Sequence, residues 1–127
     1  MNTSVKGLGY DIVEIARIKR SVERFGDKFL SKIFTKQELV YCFARANPYP
    51  SLAARFAAKE ALAKALQTGV GAEFSWKTSM IETGPRGEPV VKLDQTGLRL
   101  LKSLAATDIK ISLSHTRALA SAVVMVL

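Results

Sequence analysis

The sequence predicts an α+β domain, with helices in the first half packed on a small antiparallel sheet built mostly from the second half. Three observations carry this. Apolar residues recur at steps of three and four from Ile15 to Phe25, and helical character returns in an alanine-rich stretch that follows Ser51. After Trp76 the period changes to two, most plainly where Ile109, Ile111 and Leu113 alternate with Lys110, Ser112 and Ser114. The 127 residues suit a single domain, 1–127, and no linker, repeat or low-complexity tract divides them.

Each element follows from local chemistry. Residues 5–13 are short, mostly apolar and punctuated by Gly7 and Gly9, which fits a strand whose glycines admit a bend or close backbone approach. A first helix starts near Glu14, buries the stripe Ile15, Ile18, Val22 and Phe25, and stops at Gly26. A helical piece over 27–33 comes next. Thr35, with Glu38 three residues on, then predicts a capping box and a third helix running to about Arg45. Asn47-Pro48-Tyr49-Pro50 ends it in a loop. Ser51 is the expected N-cap of the strongest helix and Gly69 its C-terminal stop.

In the second half, residues 76–83 and 88–93 read as strands around the turn Gly84-Pro85-Arg86-Gly87. Residues 95–104 form a short helix with Leu98 and Leu101 facing inward, and 109–114 a half-buried strand. The last run, 118–127, is apolar on both alternating faces except at Ser121, which suggests a central strand or one with a face buried in an oligomer.

Composition narrows the function classes. Hydrophobic residues make up 48% and charged residues 24%, an ordinary globular balance that excludes disorder and collagen-like repeats. No apolar run approaches the roughly 20 residues that span a bilayer. The N-terminus lacks the basic start, apolar stretch and cleavage site of a signal peptide. With one cysteine, Cys42, no internal disulfide can form. A cytoplasmic protein without a membrane role is expected. The net charge of +8 favours an acidic partner or a phosphorylated ligand without choosing between them.

Two carboxylates stand out. Seven of the first fifteen residues from Ser51 are alanine, and Glu60 falls on the same helix face as Ala53, Phe56, Ala57 and Ala63. A carboxylate among small apolar residues is costly to bury unless it is paired, hydrogen-bonded or bound to metal. Lys64, four residues on, is placed to pair with it, and a plain surface salt bridge accounts for both. Asp11 sits in a strand, where aspartate is disfavoured; it serves equally as a strand-end residue or an oxygen ligand facing the helix. Magnesium is held in this style, by one or two carboxylates plus water and substrate phosphate. The chain has no GxxxxGK[ST], CxxC or HExxH motif, so a P-loop, zinc chemistry and thiol chemistry are not expected.

The segments Gly7-Leu8-Gly9-Tyr10-Asp11-Ile12-Val13-Glu14, Arg55-Phe56-Ala57-Ala58-Lys59-Glu60-Ala61, Lys64-Ala65-Leu66 with Thr68-Gly69, and Ser112-Leu113-Ser114-His115-Thr116 resemble the bacterial holo-acyl-carrier-protein synthase family, in its order and spacing. Gln67 departs from the glycine expected before Thr68-Gly69. The resemblance implies the 4'-phosphopantetheinyl transferase-like fold of the short, single-unit branch, assembled as a homotrimer with sites between subunits. It implies magnesium-dependent transfer of phosphopantetheine from coenzyme A to an acyl carrier protein, in support of fatty acid biosynthesis. By position, Asp11 and Glu60 match the metal ligands, with Glu60 the first choice for the serine proton, and Lys64 matches the lysine near the transferred phosphate. His115, Gly87 and Pro89 match positions near coenzyme A.

A basic face completes the reading. Arg17, Arg20 and Arg24 lie at i, i+3 and i+7, opposite the apolar stripe of the first helix, with Lys28 extending the line. Such a face is ordinarily just solvated, but the resemblance implies that the acidic helix of a carrier protein docks there. Cys42, between Tyr41 and Phe43, fits a small core residue, and Trp76 a core or interface anchor. A nucleic-acid-binding module would explain the charge, yet interleaved surface aromatics and a reading motif are lacking, so no nucleic-acid partner is expected.

Overall fold

The computed structural model describes residues 4–127. Strand β1 (Gly7–Glu14) leads into helices α1 (Ile15–Phe25), α2 (Asp27–Ile33), α3 (Lys36–Phe43) and α4 (Tyr49–Ala65). A single 3-10 turn at Trp76–Thr78 precedes β2 (Ser79–Thr83), β3 (Pro89–Leu93), α5 (Gln95–Ser103), β4 (Ile109–His115) and β5 (Leu119–Val126). The expected α+β architecture is present, but its strands form two antiparallel sheets. One has the order β1-β5-β4 and the other is the β2-β3 hairpin. The N-terminal strand thus pairs with the last one, Gly7 opposite Val126 and Asp11 opposite Ala122.

Helix α4 is the axis of the core. Within residues 52–66 every side chain is buried except Glu60 and Lys64. The alanines make this burial cheap in volume and let neighbouring backbones come close. A Cβ added to Gly9 would overlap the carbonyl oxygen of Ala61, and one added to Gly7 the carbonyl oxygen of Ala65. The two glycines of β1 are therefore there for close approach to α4.

Strand β5 is central, as its composition suggests, and alternates strictly. Ala120, Ala122, Val124 and Val126 are buried, while Leu119, Val123 and Met125 face outward. On β1, Leu8, Tyr10 and Ile12 share that outward face, with Leu8 opposite Met125 and Tyr10 opposite Val123.

Several boundaries differ from the sequence expectations. Helix α4 starts at Tyr49 with Pro50 in its first turn, so Ser51 lies inside the helix and does not cap it. The helix ends at Ala65, and the chain turns away through Gln67 at φ 66° before Gly69 at φ 65°. Gln67 thus occupies a left-handed position that glycine adopts at lower cost. Residues 76–78 form the 3-10 turn instead of extending the strand. Phe25 and Leu98, expected inside, are each 53% exposed; they sit beyond the contact footprints of their short helices. The Thr35–Glu38 capping box is formed as expected.

Because backbone atoms, not flexible side chains, meet the added methyl, Gly9→Ala is expected to cost about 3 kcal/mol through overpacking. Thermal or denaturant unfolding measures this, and an unchanged midpoint would show that β1 and α4 can separate freely.

Candidate active site

Glu60 and Lys64, the non-buried residues of α4 beyond its first turn, meet β1 at the point where Asp11 follows the glycines. Lys64 Nζ donates to Asp11 Oδ1 at 3.1 Å and to the Tyr10 carbonyl at 3.0 Å. The strongest local ion pair therefore runs from helix to strand, not from Lys64 back to Glu60. The Lys64 side chain remains 51% exposed and that of Asp11 19%, leaving the third ammonium proton of Lys64 open to a ligand.

Glu60 stands beside this pair. Burial pushes its carboxyl pKa up, and the charge of Asp11 pushes it further in the same direction. Lys64 and Arg17 pull it partly back. The cause is plain: two carboxylates share a region with too little water to screen them. A divalent cation relieves that repulsion. Two carboxylates with an open side suit magnesium, which completes its shell with water and phosphate oxygens. Among the described residues no group of three or more His, Cys, Asp or Glu offers an all-protein cage. Asp11 and Glu60 are the pair that fits the ion.

The other expected residues lie apart from this pair within one chain. His115 ends β4 and pairs with Ala120 of β5, so the intervening strand separates it from β1 by two strand spacings, about 10 Å. It is exposed on the helix-facing side of its strand. Gly87 adopts φ 82° in the hairpin turn, whose backbone closes through Gly84 N–H to Glu88 O at 2.6 Å, and Pro89 opens β3 opposite Thr83. Arg17, Arg20 and Arg24 share one exposed face of α1 and line an open groove with Ser21, Glu23 and Phe25. Of the three, Arg17 alone acts on Glu60's ionisation.

Sequence reasoning missed a second cationic cluster. Arg55 of α4 is 5% exposed, donates to Thr83 Oγ1 at 3.3 Å, and lies 4.2 Å from the Tyr41 ring centre. Arg45 also stacks over that ring at 4.2 Å and bonds the Tyr41 hydroxyl. Bonding to Thr83 is the largest influence on the Tyr41 hydroxyl; with the two guanidiniums it outweighs burial and lowers the pKa. Arg55 Nε is buried without a protein hydrogen-bond partner, and neither arginine forms an ion pair among the described residues. A desolvated guanidinium without a counter-charge is an anion site in waiting. The available signal was Arg55 itself, a cation flanked by Leu52-Ala53-Ala54 and Phe56-Ala57-Ala58 on an apolar helical stretch. It lies five residues from Glu60, about 140° around the α4 axis, so the two clusters open on different sides of the helix.

Cys42 and Trp76 behave as expected. Cys42 is fully buried, its thiol pushed up to about 11 by burial. Trp76 stacks on Phe56 with ring centres 5.0 Å apart. No helix among the described residues is long and apolar enough to cross a membrane.

The raised Glu60 pKa has a stability consequence. A carboxyl that holds its proton more tightly in the native state lowers stability as pH rises through that range. Glu60→Gln is therefore expected to raise the melting temperature of metal-free protein by a few degrees at pH 7.5, with the gain fading in acid. Calorimetry at the two pH values checks this; equal melting temperatures at pH 7.5 would refute the repulsion.

Comparison with known proteins matches this chain's sequence and fold to a family. Residues 7–123 fit the model of the 4'-phosphopantetheinyl transferase superfamily. A holo-[acyl-carrier-protein] synthase of Chlamydia trachomatis serovar L2 is 50% identical over 117 residues, covering 92% of this chain and 95% of the relative. The crystal structure of Helicobacter pylori holo-[acyl-carrier-protein] synthase in complex with coenzyme A superposes with a TM-score of 0.84 at 37% identity, covering 94% of this chain and 99% of that one. The Neisseria meningitidis synthase gives 0.90 at 31% identity, covering 98% and 99%. With the family model matching nearly the whole chain and relatives up to 50% identical, the chain belongs to the 4'-phosphopantetheinyl transferase superfamily.

Proposed function

We propose that this protein transfers the 4'-phosphopantetheine group from coenzyme A to a serine of apo-acyl carrier protein, releasing 3',5'-ADP. The reaction is magnesium-dependent, takes place in the cytoplasm and supplies fatty acid biosynthesis. The observation that carries this reading is the convergence of Asp11, Glu60 and Lys64 at the wet stretch in the last turns of α4. The coenzyme A bound to the Helicobacter pylori relative supports the choice of donor substrate.

Asp11 and Glu60 would hold the magnesium, which when bound supplies Lewis-acid stabilisation of pyrophosphate charge. The chain's own groups do the rest. The carrier serine oxygen attacks the phosphorus that bears the pantetheine arm, and the bond from that phosphorus to the bridging oxygen breaks. Lys64, with one N–H free, stabilises the charge that collects on the leaving phosphate. Glu60 takes the serine proton, directly or through a water.

The coenzyme A contacts would lie at the second cluster. Arg45 and Arg55 have guanidinium capacity for phosphate, and the adjoining hairpin carries Gly87 and Pro89 beside Thr83. Within one chain this cluster and the carboxylates open on different sides of α4, which supports a homotrimer in which one copy completes another's site, with His115 as a further contact. The outward face of Leu8, Tyr10, Ile12, Val123 and Met125 suits that assembly, since a contiguous apolar patch of this kind marks an interaction surface.

Incubation of apo-carrier protein with coenzyme A should add the mass of one phosphopantetheine only when magnesium is present, and Asp11→Ala should abolish the gain while remaining folded. The active species should sediment as a trimer. Near-normal turnover of Asp11→Ala, or full activity in a monomer, would overturn the corresponding part of the proposal. For the carrier, the α1 face Arg17, Arg20 and Arg24 supplies an electrostatic dock that weakens with salt. Reversing Arg17 and Arg24 to Glu should raise KM for carrier protein more than KM for coenzyme A; equal effects would count against this face.

A further inference from the structure

Lys59 precedes Glu60 in the chain but points into the interior. Its ammonium donates to Glu38 Oε1 at 3.0 Å and to the carbonyls of Trp76 and Ser79 at 2.8 and 2.6 Å. Glu38 accepts in turn from the backbone N–H of Thr35 at 2.9 Å and of Ile81 at 2.8 Å. Both side chains are 0% exposed. Three acceptors around the nitrogen match the three protons of an ammonium, whereas a neutral amine would aim a lone pair at one of them. Burial pushes the Lys59 pKa down, and Glu38 opposes that.

Burying two charges is a poor route to stability, because well-packed apolar residues in their place are often neutral or better. What this pair does specify is register. It ties α3, α4 and the start of β2 to one another at single residues. One step along each of those elements stands a member of the cationic cluster. Arg55 is one turn before Lys59, Tyr41 one turn after Glu38, and Thr83 two residues beyond Ile81. Glu60 is the residue next to the anchor on the remaining side.

We infer that Glu38 and Lys59 are positioning residues for the transfer reaction. Their buried ion pair fixes α4 against α3 and β2 so that the Arg55–Tyr41–Thr83 cluster and Glu60 hold one relative geometry. Neither residue touches substrate. This inference rests on the proposed function and deepens it, by assigning coenzyme A recognition to a charge pair that coenzyme A never meets.

The test is the double variant Glu38→Leu/Lys59→Met, assayed with parent protein for melting temperature, KM for both substrates and kcat. The variant should fold cooperatively but melt below the parent, because the Thr35 and Ile81 N–H groups and the Trp76 and Ser79 carbonyls lose their partners. Its KM for coenzyme A should rise about tenfold and its kcat fall, since small misplacements of binding groups are costly. KM for carrier protein should stay within about twofold, because the α1 dock is untouched. Should the double variant not fold, Glu38→Gln carries the same test: it keeps the shape but must turn its amide towards either Ile81 N–H or the Lys59 ammonium. A several-fold rise in KM for coenzyme A alone supports the inference there too. Unchanged kinetics in a folded variant, or equal loss for both substrates, would overturn it. If the parent itself transfers nothing, the proposed function fails and this inference falls with it; a working parent with an indifferent variant sinks the inference alone.

Discussion

Strand β1 lies against α4 through two glycines and two alanines, and the site depends on that contact. At Gly9 and Gly7 no Cβ fits beneath the carbonyl oxygens of Ala61 and Ala65. The strand therefore runs closer to the helix than ordinary side chains allow. At this separation an aspartate two residues past Gly9 meets a lysine on the helix at 3.1 Å. The same closeness presses Asp11 and Glu60 into a shared, poorly screened region, which is why Glu60 holds its proton unusually well. Small residues thus set a charge arrangement that larger ones would forbid.

Helix α4 distributes roles around its circumference. One side carries alanines to the strand, and another carries Lys59 to a buried carboxylate and, one turn earlier, Arg55 to the hairpin. The wet remainder carries Glu60 and Lys64. A helix this thoroughly enclosed cannot rotate or slide without breaking several contacts at once. It can therefore hold two chemically different clusters in fixed relation, although they open on different sides.

Much of this was legible in the sequence, for identifiable reasons. The 3.6-residue period of α1, the Thr35–Glu38 box and the alternation of β4 are local signals, and they gave the elements directly. The glycines before Asp11 and the alanines around Glu60 hinted that a strand and helix meet there, though not which groups would pair. Lys64 reaches across to Asp11 because the strand arrives from far away in sequence, a fact that i, i+4 reasoning cannot see. Glu38 reads as a capping residue and nothing more; its second oxygen bonds Ile81 N–H forty-three residues away. Arg55 belongs to a motif visible in the sequence, but its lack of a carboxylate partner appears only when its surroundings are known. Ser51, Phe25 and Leu98 were misplaced where helix ends and short footprints decide burial, which periodicity alone does not resolve.

The account stands on Asp11 and Glu60 serving one ion. A double-mutant cycle measures that directly, by titrating manganese as a spectroscopic substitute for magnesium into the parent, Asp11→Ala, Glu60→Ala and the double variant by electron paramagnetic resonance. If the two carboxylates share an ion, either single change should remove most of the affinity and the second should remove little more. Additive losses, or binding that survives in the double variant, would contradict it.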